Sequence, residues 1–145
     1  MTGGTYTLLV ELDRDVTLTV GALGEVRLDA GWYGYVGSAL GAGGFARIDR
    51  HREVAVGERD VRHWHVDYLL GHEAATLRGD VRTCDLDVEC AVARSLPDAV
   101  SGFGCSDCDC SSHLTGARRG GALREAVEDA HETAANDALD GRDRV

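Results

Sequence analysis

The chain has 145 residues, 43% of them hydrophobic, and 25 acidic residues against 15 basic ones give a net charge of −10. That length suits one domain with a real core and excludes two ordinary ones. No apolar run approaches the roughly 18 residues of a membrane span, and Met1-Thr2-Gly3-Gly4 opens no signal-peptide pattern, so a cytoplasmic protein without membrane partners is expected.

Every basic residue is arginine. An aspartate-rich, lysine-free chain looks adapted to a salt-filled cytoplasm of the halophilic archaeal kind. Acidity ordinarily argues against nucleic acid as a partner. At molar salt the Debye length falls to about 3 Å, so local contacts decide and net charge ceases to steer. Five cysteines in an intracellular chain point to metal or chemistry before disulfides.

Taken in order, Thr5 to Leu12 reads as a strand stopped by Asp13-Arg14-Asp15. Val16 to Val20 and Glu25 to Leu28 alternate around Gly21-Ala22-Leu23-Gly24, a hairpin. Gly31 to Val36 makes a further strand, so the first forty residues predict an antiparallel sheet. A glycine-rich loop, Leu40 to Gly44, leads into a helix over Phe45 to Val54, and a polar loop follows over Gly57 to Arg62. Residues 63–70 are ambiguous, because Trp64, Val66, Tyr68 and Leu70 alternate but Leu69 breaks the pattern. Ala75 to Cys84 reads as a strand with a weak point at Gly79-Asp80. Asp85 or Asp87 can cap a helix running to about Leu96, ended by Pro97. Gly102 to Gly116 reads as a loop. Beyond a Gly120-Gly121 hinge, Leu123, Val127, Ala130, Ala134 and Ala138 recur at helical spacing among acids, predicting an exposed or loosely docked helical tail over 117–145.

Several residues carry chemistry. Gly34-Tyr35-Val36-Gly37-Ser38 ends a strand in small residues, which lets another group approach the backbone closely at Gly37 and Ser38. Arg47 and His51, four apart, share one helix face. Together these suggest a phosphodiester site, with Arg50 as a further substrate contact. Taken alone, Arg47 would be explained by a surface ion pair with Asp49 or Glu53. Glu89 shares a helical stripe with Val92, Ala93 and Leu96 and should sit at the edge of buried surface. A hard cation, Mg²⁺ or Mn²⁺, would account for it, as would the dipole of a helix N-terminus. Tyr6 and Tyr35 could converge on one phosphate or simply be core aromatics. His65 and Asp67, on one face if the segment is a strand, could orient each other or touch nucleic acid, though a structural role for one or both is the better reading. Trp32, Tyr33 and Trp64 are read as core aromatics before base-stacking ones. Cys105, Cys108, Cys110 and His113 number the ligands of a closed structural Zn²⁺ site. The rivals are reduced thiols in a turn, a site built with Cys84 or Cys90, or a place for Asp107 and His113 beside the catalytic pocket.

Gly4-Thr5-Tyr6 followed by Tyr35-Val36-Gly37 resembles the two-part signature of the GIY-YIG nucleases. Arg47, His51 and Glu89 then fall where that family places an arginine, a histidine and a glutamate metal ligand. Gly-Tyr-Val-Gly-Ser-Ala, His65-Val66-Asp67-Tyr68-Leu69-Leu70, Glu89-Cys90 and Phe103-Gly104-Cys105-Ser106-Asp107-Cys108 resemble the Uri branch. That branch is mostly archaeal and sometimes fused to a base-excision glycosylase. The resemblance covers roughly residues 3 to 116. It departs at Thr5, where the family usually has an aliphatic residue, and in a longer loop before Arg47, which leaves Arg50 as the alternative arginine. It implies an α+β fold with a central antiparallel sheet flanked by helices. It also implies a metal-dependent DNA endonuclease of repair, with a possible repair-protein partner, in which a tyrosine helps to activate water and His51 assists proton transfer. The rival from another class is a non-catalytic nucleic-acid-binding or partner-docking module that keeps the fold.

Overall fold

The structure, a computed structural model, describes residues 2–60, 62, 64–104 and 111–143. Its centre is β1 (Gly4–Leu12), nearly all of whose residues are buried. A strand covered on both faces reads as a continuous apolar and threonine run, which Tyr6 to Val10 is. It pairs antiparallel with β4 (Gly31–Ala39) on one side and β5 (Ala75–Cys84) on the other. β6 (Leu114–Ala117) adds to the far edge of β4, giving the order β5-β1-β4-β6. The weak point at Gly79 is a bulge: Leu9 faces Gly79 and Val10 faces Leu77, so Arg78 is the extra residue.

The first forty residues do not form one sheet. β2 (Val16–Val20) and β3 (Gly24–Leu28), joined by a 3-10 turn at Gly21–Leu23, make a separate two-stranded ribbon. Both edges of β1 are already taken, so the ribbon contributes a face: Val16, Leu18, Val20, Val26 and Leu28 all point into the core.

Period-2 alternation along the sheet builds two cores. Tyr6, Leu8, Val10 and Tyr35 face α1 (Ala46–Ala55) and α2 (His65–Leu70), together with the ribbon and Phe103. Leu9 and Val36 face α3 (Glu89–Arg94) and α4 (Gly120–Asp143). Within the ambiguous segment, His65–Leu70 is helix for the reason that Leu69 spoiled the strand pattern. Val66, Leu69 and Leu70, spaced i, i+3, i+4, are all buried.

Three expectations need correction. The loop over Gly102 to Gly116 ends in β6, which lies along β4. Neither Asp85 nor Asp87 caps α3: Asp85 sits at φ 63°, and the N-cap position is Val88, with no side-chain cap. The C-terminal segment is an integral helix and not a loose tail. Leu123, Val127, Ala130 and Ala134 are buried against the sheet and α3. His131 of α4 is buried between Thr7 Oγ1 of β1 (2.7 Å) and Thr83 Oγ1 of β5 (2.8 Å). Glu125, Glu128, Asp129, Glu132, Asp137 and Asp140 of α4 lie on its outer face, so composition alone exaggerated its exposure. No helix among the described residues is long and apolar enough to cross a membrane.

Candidate active site

At one end of the sheet a cavity of about 380 Å³ is lined by Tyr6, Tyr35, Gly37, Ser38, Arg47 and Glu89. Sequence register explains the first three. Tyr6 of β1 lies opposite Gly37 of β4. A Cβ on Gly37 would meet the Tyr6 ring carbon and hydroxyl at 2.5 Å, so only glycine leaves room for that tyrosine. The glycine of the Tyr35-Val36-Gly37 motif is therefore the seat of the other motif's tyrosine. Tyr6 Oη lies 2.8 Å from His51 Nε2 on α1, with His51 buried.

Burial dominates the electrostatics here. It pushes the Tyr6 hydroxyl well above the usual tyrosine range, opposed by the Arg47 guanidinium. Tyr35 is raised in the same way, with the neighbouring Tyr6 and Glu89 adding to it. Burial lowers His51 to about 4, so its ring is neutral at pH 7. His51 Nδ1 has no hydrogen-bond partner among the described residues. An orphaned N–H costs about 1–3 kcal/mol, so the resting tautomer carries its hydrogen on Nε2 and donates it to Tyr6. The Tyr6 hydroxyl hydrogen is left for the cavity.

The two arginines part company. Arg47, exposed, donates from Nη1 to the Ser38 carbonyl at 2.6 Å and lines the cavity. Arg50 does not line it. Its guanidinium grips Asp67 at 3.2 and 3.3 Å, and Asp67, fully buried, also accepts from the Trp64 backbone N–H at 3.0 Å. Asp67 is thus structural, as expected. So is His65, whose Nδ1 accepts from the Gly104 N–H at 2.8 Å. Trp64 is not a core residue. It is 36% exposed at the cavity mouth, with the Arg50 and Arg47 guanidiniums 4.2 and 5.1 Å from its ring centroid.

Glu89, half-buried at the start of α3, is fixed from two directions. Below it, Thr5 Oγ1 donates to the Leu86 carbonyl and accepts from the Val88 N–H, both at 2.9 Å, tying the turn before α3 to β1. The departure from an aliphatic residue at Thr5 therefore has a physical use, because a methyl group could make neither bond. Beside it, buried His113 Nδ1 lies 3.1 Å from both Glu89 Oε1 and the Val36 carbonyl. A carbonyl only accepts, so Nδ1 carries the hydrogen and is shared between the two. The Val36 N–H in turn donates to the His113 carbonyl at 2.9 Å. His113 thus sits beside the cavity and bridges the Tyr35-Val36-Gly37 strand to Glu89. Cys105, Cys108 and Cys110 of the proposed zinc set lie outside the described residues. Sequence reasoning did not anticipate the Thr5 tie, and it offered the His113 position only as a rival to zinc binding.

A family model described as a domain of unknown function, DUF123, matches residues 5–136. The chain belongs to that family. The DUF123 match takes in Tyr6, the Tyr35-Val36-Gly37 motif, Glu89 and most of α4, in keeping with the packing of that helix. No curated protein and no solved structure matches the chain.

Among the described residues no three His, Cys, Asp or Glu side chains gather to hold a metal ion. Mg²⁺ asks for less, commonly one or two carboxylates completed by water and phosphate. Glu89 with Asp87, which also lines the cavity, fits that demand, and Glu89 keeps a second oxygen beyond the one facing His113.

Proposed function

We propose that this DUF123 protein is a metal-dependent endonuclease of the GIY-YIG type, hydrolysing phosphodiester bonds in DNA and serving repair. The observation that carries the reading is convergence. Tyr6, Tyr35, Arg47 and Glu89 come from four separate elements to line one cavity, with His51 hydrogen-bonded behind Tyr6. Core aromatics and surface ion pairs would not need to meet.

In this scheme Arg47 grips the scissile phosphate, its planar fork matching two phosphate oxygens and stabilising charge that builds in the transition state. Tyr6, in its phenolate form, takes the proton of the attacking water as the new P–O bond forms, and the P–O bond to the leaving oxygen breaks, that oxygen taking a proton from solvent. The Arg47 charge and the His51 Nε2–H both favour its phenolate, opposing the burial that disfavours it. Tyr35 packs beside Tyr6 and orients the water. Glu89, aimed by Thr5 and His113, and Asp87 would hold Mg²⁺ or Mn²⁺, which supplies Lewis-acid relief of phosphate charge when bound. Gly37 and Ser38 shape the floor on which the phosphate rests.

The test is incubation with single-stranded, duplex and flap DNA, with and without Mn²⁺, in molar KCl. Metal-dependent cleavage is expected, and Glu89→Gln should lose it while melting like the parent. Cleavage by a well-folded Glu89→Gln variant would remove Glu89 from the site. No cleavage of any substrate would favour a binding module.

A further inference from the structure

Among the described residues Trp64, 36% exposed, is the most exposed Trp, Tyr or Phe. Its position is not incidental. It lines the 380 Å³ cavity and also a second one of about 220 Å³ that runs over the Gly41–Gly44 loop; Arg47 lines both. The indole therefore stands at the junction, beside the arginine assigned to the scissile phosphate.

The ring is also held in place. Its backbone N–H is bonded to buried Asp67, the Arg50 fork locked onto that carboxylate lies 4.2 Å from the ring centroid, and the His51 ring sits 5.8 Å away. A large apolar side chain fixed in a polar, solvent-facing setting costs little entropy to engage, and flat π-faces accept any base. Charge points the same way. A chain at −10 gains little from long-range attraction to phosphates, and in molar salt the counterion-release term that normally drives nucleic-acid binding fades. Stacking is the contact that survives such salt.

We infer that Trp64 is a stacking platform for an unpaired base next to the phosphate at Arg47, and that the cavity over the glycine loop receives the adjoining nucleotide. The substrate class is then DNA with a single-stranded segment at the cleavage point, since paired bases within a duplex cannot offer a face to the indole. This rests on the nuclease reading and is tested without cleavage.

In a Trp32→Phe background Trp64 is the sole indole, and its fluorescence reports directly. A 16-mer oligo(dT), the same strand with abasic sites, and a duplex of equal length are titrated in EDTA and molar KCl. Oligo(dT) should quench the emission saturably, with the abasic strand and the duplex at least about ten-fold weaker. Binding is also followed by anisotropy of labelled oligo(dT). Trp64→Ala should weaken it roughly ten-fold or more, and Trp64→Phe, which keeps a ring against Arg50, should recover part of that loss. Equal affinity of Trp64→Ala, Trp64→Phe and parent would overturn the inference, as would equal quenching by duplex and oligo(dT). Quenching by oligo(dT) in a protein that cleaves nothing with Mn²⁺ would support the platform and sink the nuclease reading alone.

Discussion

Arg47 and Arg50 sit one turn apart on α1, yet their surroundings assign them opposite jobs. Arg50 neutralises a fully buried carboxylate, and breaking such a pair typically costs about 3–5 kcal/mol. Arg47 is exposed and bonded to a carbonyl, so its loss should hardly affect folding. We therefore expect Arg50→Ala to melt well below the parent and Arg47→Lys to melt with it, while Arg47→Lys loses most of its cleavage rate with a modest change in DNA affinity. Parallel melting and single-turnover measurements on the two variants check this; a reversed pattern would exchange the arginines. Tyr6 adds a pH signature. Its hydroxyl is held above the ordinary tyrosine range by burial, so the phenolate is a minor form at neutral pH and grows ten-fold per pH unit. The logarithm of kcat/KM should rise with a slope near one from about pH 6 to 8, and Tyr6→Phe should abolish the activity. A flat profile would remove Tyr6 as the base.

At the scale of elements, α4 is tied to the sheet by His131, which bridges β1 and β5 from a buried position. Burial lowers its pKa to about 4, against about 6.5 in the unfolded chain. The folded state therefore binds fewer protons than the unfolded one between those values. The stability this protects is complete above about pH 6.5 and drains away as pH falls toward 4. At pH 5 the loss from this one group is about 2 kcal/mol. His51, lowered to about 4 by the same cause, adds a loss of the same sign. Denaturant unfolding at pH 7 and pH 5 should show a smaller difference for His131→Gln than for the parent. An unchanged difference would mean that the ring is protonated in place or that α4 undocks without consequence.

For the whole molecule the governing number is the charge of −10. Many of the arginines that offset the acids are spent locally: Arg52 and Arg82 on Asp80, Arg78 on Glu11, Arg59 on Glu53, Arg14 on Asp13 and Glu73. The remaining acids repel across a surface that a Debye length of about 30 Å in 0.01 M salt does not screen, whereas about 3 Å in 1 M does. The melting temperature should climb by on the order of 10 °C between dilute and molar KCl. Melts across a KCl series test it, and a flat series would remove self-repulsion as a factor in stability.

The periods and punctuation of the chain were enough to determine most of its elements. β1, the ribbon, β4, β5, α1 and the apolar stripe of α4 are all legible from alternation, glycine turns and helical spacing. The GIY-YIG resemblance also picked out the residues that line the cavity, because Tyr6, Gly37, Arg47 and Glu89 sit at recognisable motif positions. What sequence order could not supply was adjacency across the fold. That the ribbon leaves the sheet depends on β5 claiming the second edge of β1, a pairing some seventy residues away. That Arg47 faces the cavity while Arg50 faces Asp67 depends on where α2 lies, since both arginines satisfy the same local pattern. The ties that aim Glu89 come from Thr5 and His113, residues more than a hundred positions apart that are ordinary in their own segments. Local free energy, one residue against its neighbours, writes a period into the chain; which side chains complete one another's hydrogen bonds is settled only when the burial of both cores brings distant segments together.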